Sequence, residues 1–326
     1  MVLNKIAIFI APKFMNMKKS ILALLALFFL MPFTSFAQDE EGIESDINAE
    51  NPQKVKILDL SNKQLTKLPP EIGRFVNVEK LYLRNNQIVS LPIEISKLTK
   101  LKELYLNNNQ IQRFPIEICK LATLERLELS RNKMEYVSTS IAKLTRLKKL
   151  DLSNNKIDEL PAEMAGLVNL TELNFSTNTI KAIFPGFENC RLLKVLNAGG
   201  NRIEILPAEV GALTNLTSLS INQNRISVLP NEIGNLTNLQ TLNVEKNLIR
   251  KIPNSIGNLV QLKVVDLDEN QLKSLPEEMI NLVALKELYL GTNPWAIFPD
   301  NLKPLLEKML YGQSDLVKKL VTTPKP

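Results

Sequence analysis

The chain contains no histidine. With it go histidine-based nucleophile activation, histidine metal ligation and the side chain best suited to general base work near neutral pH. Cysteine is scarce: Cys119 and Cys190 are the only two. Tryptophan is limited to Trp295, and aromatic residues make up 6% of the chain. No cofactor or metal is expected from such an inventory. A strong net charge is also missing. The formal +6 is uneven, because Lys5, Lys13, Lys18 and Lys19 fall in residues 1–37, where no acid stands. The remainder holds 36 basic and 34 acidic residues. So nearly neutral a chain gives little reason to expect the basic stripe that nucleic-acid binding needs, and no nucleic-acid partner is expected.

Long apolar runs are missing but for one, Ile21 to Met31, which is too short to span a bilayer. Lys18-Lys19 precedes it, Pro32 breaks it, and Ser35-Phe36-Ala37 places small residues before Gln38. This is the pattern of a secretory signal peptide over 1–37, cleaved near Ala37; a single N-terminal membrane anchor is the alternative. Met17 directly precedes the lysine pair, so initiation at Met17 competes with Met1. The mature chain is expected to be secreted or held at the cell surface or outer envelope. Its only membrane contact is then through the signal segment.

What the chain does have is a period. Leu101-Lys-Glu-Leu104-Tyr-Leu106-Asn-Asn-Asn109-Gln-Ile111-Gln-Arg-Phe114-Pro115-Ile-Glu-Ile118-Cys-Lys-Leu121-Ala-Thr123 is one of eleven contiguous 23-residue units, which begin at Val55 and end at Glu307. A fixed period of this size means a stack of one small supersecondary unit. Position 4 is Leu in ten units and Val265 in the other, and position 6 is always apolar. The polar or Tyr residue between them makes this a short strand with one buried face. Position 9 is Asn in ten units, from Asn86 to Asn293, and Lys63 in the first. Ten identical amides are structural: each can serve backbone groups that lose their sheet partners where the strand ends. Positions 14 and 15 read Leu-Pro or close to it, with Glu two residues later in seven units. Pro at a first helical position and an acid in the first turn predict a short helical turn. Strands are narrower than helices, so the stack should curve with the strands inside.

The pattern Leu-x-x-Leu-x-Leu-x-x-Asn-x-Leu-x-x-Leu-Pro-x-Glu-Ile-x-x-Leu resembles leucine-rich-repeat proteins of the 23-residue subtype. The segment from Asn51 to Ser61 is similar to the start of the exported leucine-rich-repeat proteins of leptospiral spirochaetes. The resemblance implies an α/β solenoid: a right-handed horseshoe with a parallel concave sheet and short helical or 3-10 turns on the convex side. It also implies a concave face that binds protein ligands, and it carries no catalytic residues.

The domain expectation is a signal peptide over 1–37, an acidic N-terminal segment and cap over 38–54, and the repeats over 55–307. A C-terminal cap and tail fill 308–326. A poorly ordered start leads into the first cap, and Leu302 to Leu310 recur at helical spacing in the second. Trp295 is read as core of the final repeat. Three sheet steps of about 4.8 Å separate the cysteines, more than the roughly 7 Å that a disulfide tolerates. Cys190 is read as a small buried hydrophobe, and Cys119 as partly exposed.

Positions 2, 3, 5, 7 and 8 face the inner wall. In repeats one to five, 14 of 25 such positions are charged; in repeats six to nine only 4 of 20 are. Charge depletion marks interface cores. Asn174, Asn197, Ser220 and Asn243 run down position 5 of this quiet stretch and are candidate partner-binding residues. Tyr82 and Tyr105 share position 5 in neighbouring repeats and are a second candidate, either as a binding hot spot or as a cross-strand pair. Phe175, Ala198 and Gly199-Gly200 depart from the pattern together. They read as volume compensation between layers or as a notch for close backbone approach. The reading is a monomeric, non-enzymatic, exported scaffold for a macromolecular partner, such as a host cell-surface or matrix protein. The alternative is a structural component of the bacterial envelope.

Overall fold

The computed structural model describes residues 43–44, 46–294 and 300–302 of the protein. The expected signal segment, Trp295 and the expected C-terminal cap lie outside the described residues.

Among the described residues twelve parallel strands form one sheet in chain order. They are β1 (Ile43–Glu44), β2 (Ile57–Asp59), β3 (Lys80–Tyr82), β4 (Glu103–Tyr105), β5 (Arg126–Glu128), β6 (Lys149–Asp151), β7 (Glu172–Asn174), β8 (Val195–Asn197), β9 (Ser218–Ser220), β10 (Thr241–Asn243), β11 (Val264–Asp266) and β12 (Glu287–Tyr289). From β2 onward the register advances by one repeat per step: Leu81 lies beside Leu104, and Leu150 beside Leu173. The expected solenoid, with strands on one wall and short 3-10 turns on the other, is the architecture observed. β1 is an addition. Ile43 pairs with Ile57, so part of the acidic segment enters the sheet where a poorly ordered start was expected.

β2 to β12 have three residues each because only three alternate cleanly. Leu104 and Leu106 point inward and are fully buried, and the position-4, -6, -11, -18 and -21 side chains of successive repeats merge into one core. Burial of such a side chain is worth roughly 1.5–3 kcal/mol. No single coil could enclose these groups, so stacking creates the core.

The asparagine column closes the coils. Asn109 Nδ2 donates to the carbonyl of Leu83 in the preceding repeat, 2.9 Å, and to that of Leu106 in its own, 3.0 Å; its Oδ1 accepts the Ile88 N–H at 3.0 Å. The same bonding recurs in the later repeats, for example at Asn178 and Asn247. Lys63, in the first repeat, has no preceding repeat to serve, and its own N–H donates to Asn86 Oδ1. Position 8, just before, is left-handed in ten repeats, including Arg131, Thr177 and Lys246, and Gly200 fills it once. The tight bend demands that backbone, and the asparagine network holds residues there that would otherwise avoid it.

The prolines differ from expectation by one residue. Pro92 precedes the 3-10 turn Ile93–Lys97 in an extended conformation, and its carbonyl accepts the Ile95 N–H at 3.2 Å. Proline therefore sets the approach to the turn rather than its first residue, except that Pro70 follows Pro69 in the first repeat. Where proline is missing in repeat four, Ser138 Oγ accepts the Ser140 N–H. In repeat six, left-handed Gly186 leads into a turn of only three residues, Phe187–Asn189.

Phe175 and Ala198, neighbours at position 6, are both fully buried. Both cysteines are free and buried. For Cys119 this corrects the expected partial exposure: its side chain belongs to the continuous core, 4% exposed. Burial pushes both thiols up to about 11, where they are poor nucleophiles. Among the described residues no helix is long and apolar enough to cross a membrane.

Candidate partner-binding wall

The strands project position 5 onto the open face of the sheet, in register. Tyr82 lies beside Tyr105, Glu128 beside Asp151, and Asn174, Asn197, Ser220 and Asn243 follow in consecutive steps. All six predicted side chains therefore share one column, in two groups separated by the two carboxylates.

The tyrosine rings are stacked, with centroids 4.7 Å apart and planes 12° apart. The Arg84 guanidinium covers them, 5.0 Å from the Tyr82 ring centre and 4.1 Å from that of Tyr105; Arg126 lies 5.2 Å from the latter. The Tyr105 hydroxyl donates to the Glu103 carboxylate. Burial and that carboxylate both raise the phenol above its ordinary value. Tyr105 is thus enclosed, and the half-buried Tyr82 and the arginines form the outer surface. The arginine cover was not anticipated. Its sequence trace is an arginine two residues after Tyr82 and another at position 3 of repeat four.

Glu128 and Asp151 form the next step. Burial, then the Asp151 charge, raises the Glu128 carboxyl, while Arg126 Nε at 2.7 Å opposes the shift. Asp151 is also raised by burial, against hydrogen bonds from Ser153. Two acids at position 5 of adjacent repeats were visible in the sequence, but only the depth of the column makes them interact strongly.

The quiet stretch follows. Asn174 Oδ1 accepts the Ser176 N–H, Asn197 that of Gly199, and Asn243 that of Glu245. Ser220 Oγ donates to Asn222 Oδ1 at 2.9 Å. These oxygens finish the strand, so each residue has a structural duty. Asn174, Ser220 and Asn243 are buried, and Asn197 is half-buried. The column is a floor, and a partner would reach it between shoulders such as Ser176, Ser218 and Asn222. Gly199 opens no empty notch: a Cβ there would lie 2.2 Å from Asn222 Oδ1, whose side chain fills the space. Gly200 instead passes close to the Thr177 backbone of the previous repeat.

Residues 173–309 match the family described as leucine-rich repeat region, and overlapping matches to leucine rich repeat span 53–180. A leucine-rich-repeat protein of Leptospira interrogans is 30% identical, with 78% of this chain and 76% of that one covered and a TM-score of 0.58. An internalin of Listeria monocytogenes is 28% identical over 75% of this chain and 76% of its own, TM-score 0.62. A plant peptide hormone receptor, solved in complex with RGF2, is 29% identical over 78% of this chain and 46% of the receptor, TM-score 0.66. No curated protein matches the chain.

Proposed function

The chain belongs to the leucine-rich-repeat family, and from that premise we propose that it is an exported, non-enzymatic scaffold whose concave wall holds a protein partner. The supporting observation is the loss of charge along repeats six to nine, over the polar floor of Asn174, Asn197, Ser220 and Asn243. Interface cores are depleted of charge because desolvating an unpaired ion is costly. Tyr82 and Tyr105 add a rigid aromatic step nearer the N-terminus. Every coil is bonded to its neighbours, so little ordering remains to oppose binding. A receptor of the same fold solved with a peptide ligand supports a protein or peptide partner here. On this reading the chain acts outside the cell after cleavage near Ala37, as a monomer on a host surface or matrix protein; the basic pair and apolar stretch ahead of Ala37 support export.

Capture of candidate host and bacterial surface proteins on the immobilised chain tests this. Asn197→Asp keeps an oxygen for the Gly199 N–H while adding charge, so partner binding should weaken roughly tenfold with the melting temperature held. Unchanged capture by Asn197→Asp and Ser220→Asp alike would show that the patch is misplaced.

A further inference from the structure

After the asparagine bend the chain runs along one flank of the solenoid. Position 11 is buried there, while positions 10, 12 and 13 face outward. A second hydrogen-bond ladder fixes this flank. The N–H groups of Arg202, Arg225, Leu248 and Gln271, all at position 10, donate at 2.8–2.9 Å to the position-11 carbonyl of the preceding repeat. Consecutive coils are therefore held about 5 Å apart here too, and repeats six to ten span roughly 20 Å of flank.

Charge is segregated along this stretch. Lys181, Arg202, Arg225, Arg250, Lys251 and Lys273 are exposed on it, and Glu204 is its single acid. The other acids of these repeats stand at concave positions 3 to 8 or on the turns from position 16 onward. None of the six cations has an ion pair among the described residues; Arg250 Nε donates only to Gln271 Oε1. Set among them are Ile205, Val228 and Leu248, exposed by 72%, 66% and 44%. The same positions in repeats one to five carry four bases and three acids. The near-neutral composition of the chain conceals this imbalance.

We infer that the flank of repeats six to ten is a docking surface for an anionic phospholipid membrane. Cations near such a surface are attracted to its headgroups, and arginine pairs with phosphate through two parallel N–H bonds. The aliphatic side chains rise from a ladder rather than line a pocket. That suits insertion among headgroups better than the shaped, desolvated anchor site of a protein interface. The contact belongs to the folded repeats and adds to any made by the signal segment. It leaves the concave wall free to face away from the bilayer.

The test is co-sedimentation of the full chain with phosphatidylcholine vesicles, with and without about 30% phosphatidylserine. The N-terminal apolar stretch is common to all variants, so the difference between the two vesicle types is what counts. The wild type should prefer the anionic vesicles. The preference should fall at least tenfold in Arg202→Glu/Arg225→Glu and several-fold in Ile205→Ser/Val228→Ser. It should persist in Lys133→Glu/Lys156→Glu on the same flank of repeats four and five, and in the concave variant Ser220→Asp. Melting temperatures of the exposed variants should match the wild type. No anionic preference, or one untouched by both flank variants, overturns the proposal. So does heparin binding as tight as vesicle binding and indifferent to Ile205→Ser/Val228→Ser, because that would make the flank a site for soluble polyanions.

Discussion

Glu128 and Asp151 lie directly beside one another on β5 and β6, both sunk in the floor of the wall. Like charges in that position oppose folding, and burial penalises each further. Proton uptake relieves both, so the pair holds a proton at a pH where separate carboxylates would not.

The sign of the pH dependence follows. A carboxyl raised in the folded state binds its proton more tightly there than in the unfolded chain, so folding stability falls as pH rises. The window runs from the ordinary carboxylate range up to about 7, the value to which Glu128 is raised. Glu128→Gln should flatten this slope and stabilise the protein by about 1–2 kcal/mol at pH 8. Urea unfolding at pH 5 and pH 8 measures it; an equal slope in the variant would remove the pair as its source.

Asn178→Ala removes four side-chain hydrogen bonds: those to the carbonyls of Leu152, Phe175 and Ser176, and the one from the Ile157 N–H. The stranded carbonyls and N–H should cost about 2–4 kcal/mol. Chemical denaturation reads the loss, and hydrogen exchange should localise it to repeats five and six. A loss below 1 kcal/mol would mean that water replaces the amide.

Gly199 and Asn222 should be coupled. Gly199→Ala drives a methyl into Asn222 Oδ1, which must swing away and abandon Ser220 Oγ. The single substitution is expected to cost about 1–2 kcal/mol, and Asn222→Ala in the same chain to recover most of it. A double-mutant cycle decides, and additive losses would place the strain elsewhere.

Cys119 and Cys190 should resist thiol reagents in the native protein and react fully in denaturant, because burial both shields them and suppresses the thiolate. Labelling followed by mass spectrometry distinguishes the two sites. Rapid native modification of Cys119 would restore the partial exposure expected from the sequence.

Most of the solenoid was legible because its grammar is local. Leu104 between polar neighbours makes a strand, Asn109 makes a bend, and Leu-Pro leads into a turn, and most of the eleven repeats carry all three signals. The residue identities alone could not rank depth. Tyr105 and Ser220 share a position with Tyr82 and Asn197, but neighbouring side chains decide which sink and which remain in reach. Arg84 shows the same limit: its position in the repeat is plain, but its place across two rings depends on a side-chain path. Cys119 was misjudged because Gly, Ser or Ala at that position in other repeats suggested an open site. The close packing of consecutive turns is what demands a small residue there. The flank was overlooked because attention to the whole-chain charge hides a local excess, although reading positions 10, 12 and 13 in columns would have found it.

The asparagine side chains all reach backward, each serving the coil before its own and never the one after. A coil is therefore complete only once its successor has docked. Truncation after any repeat would leave the last coil with backbone groups that no amide serves.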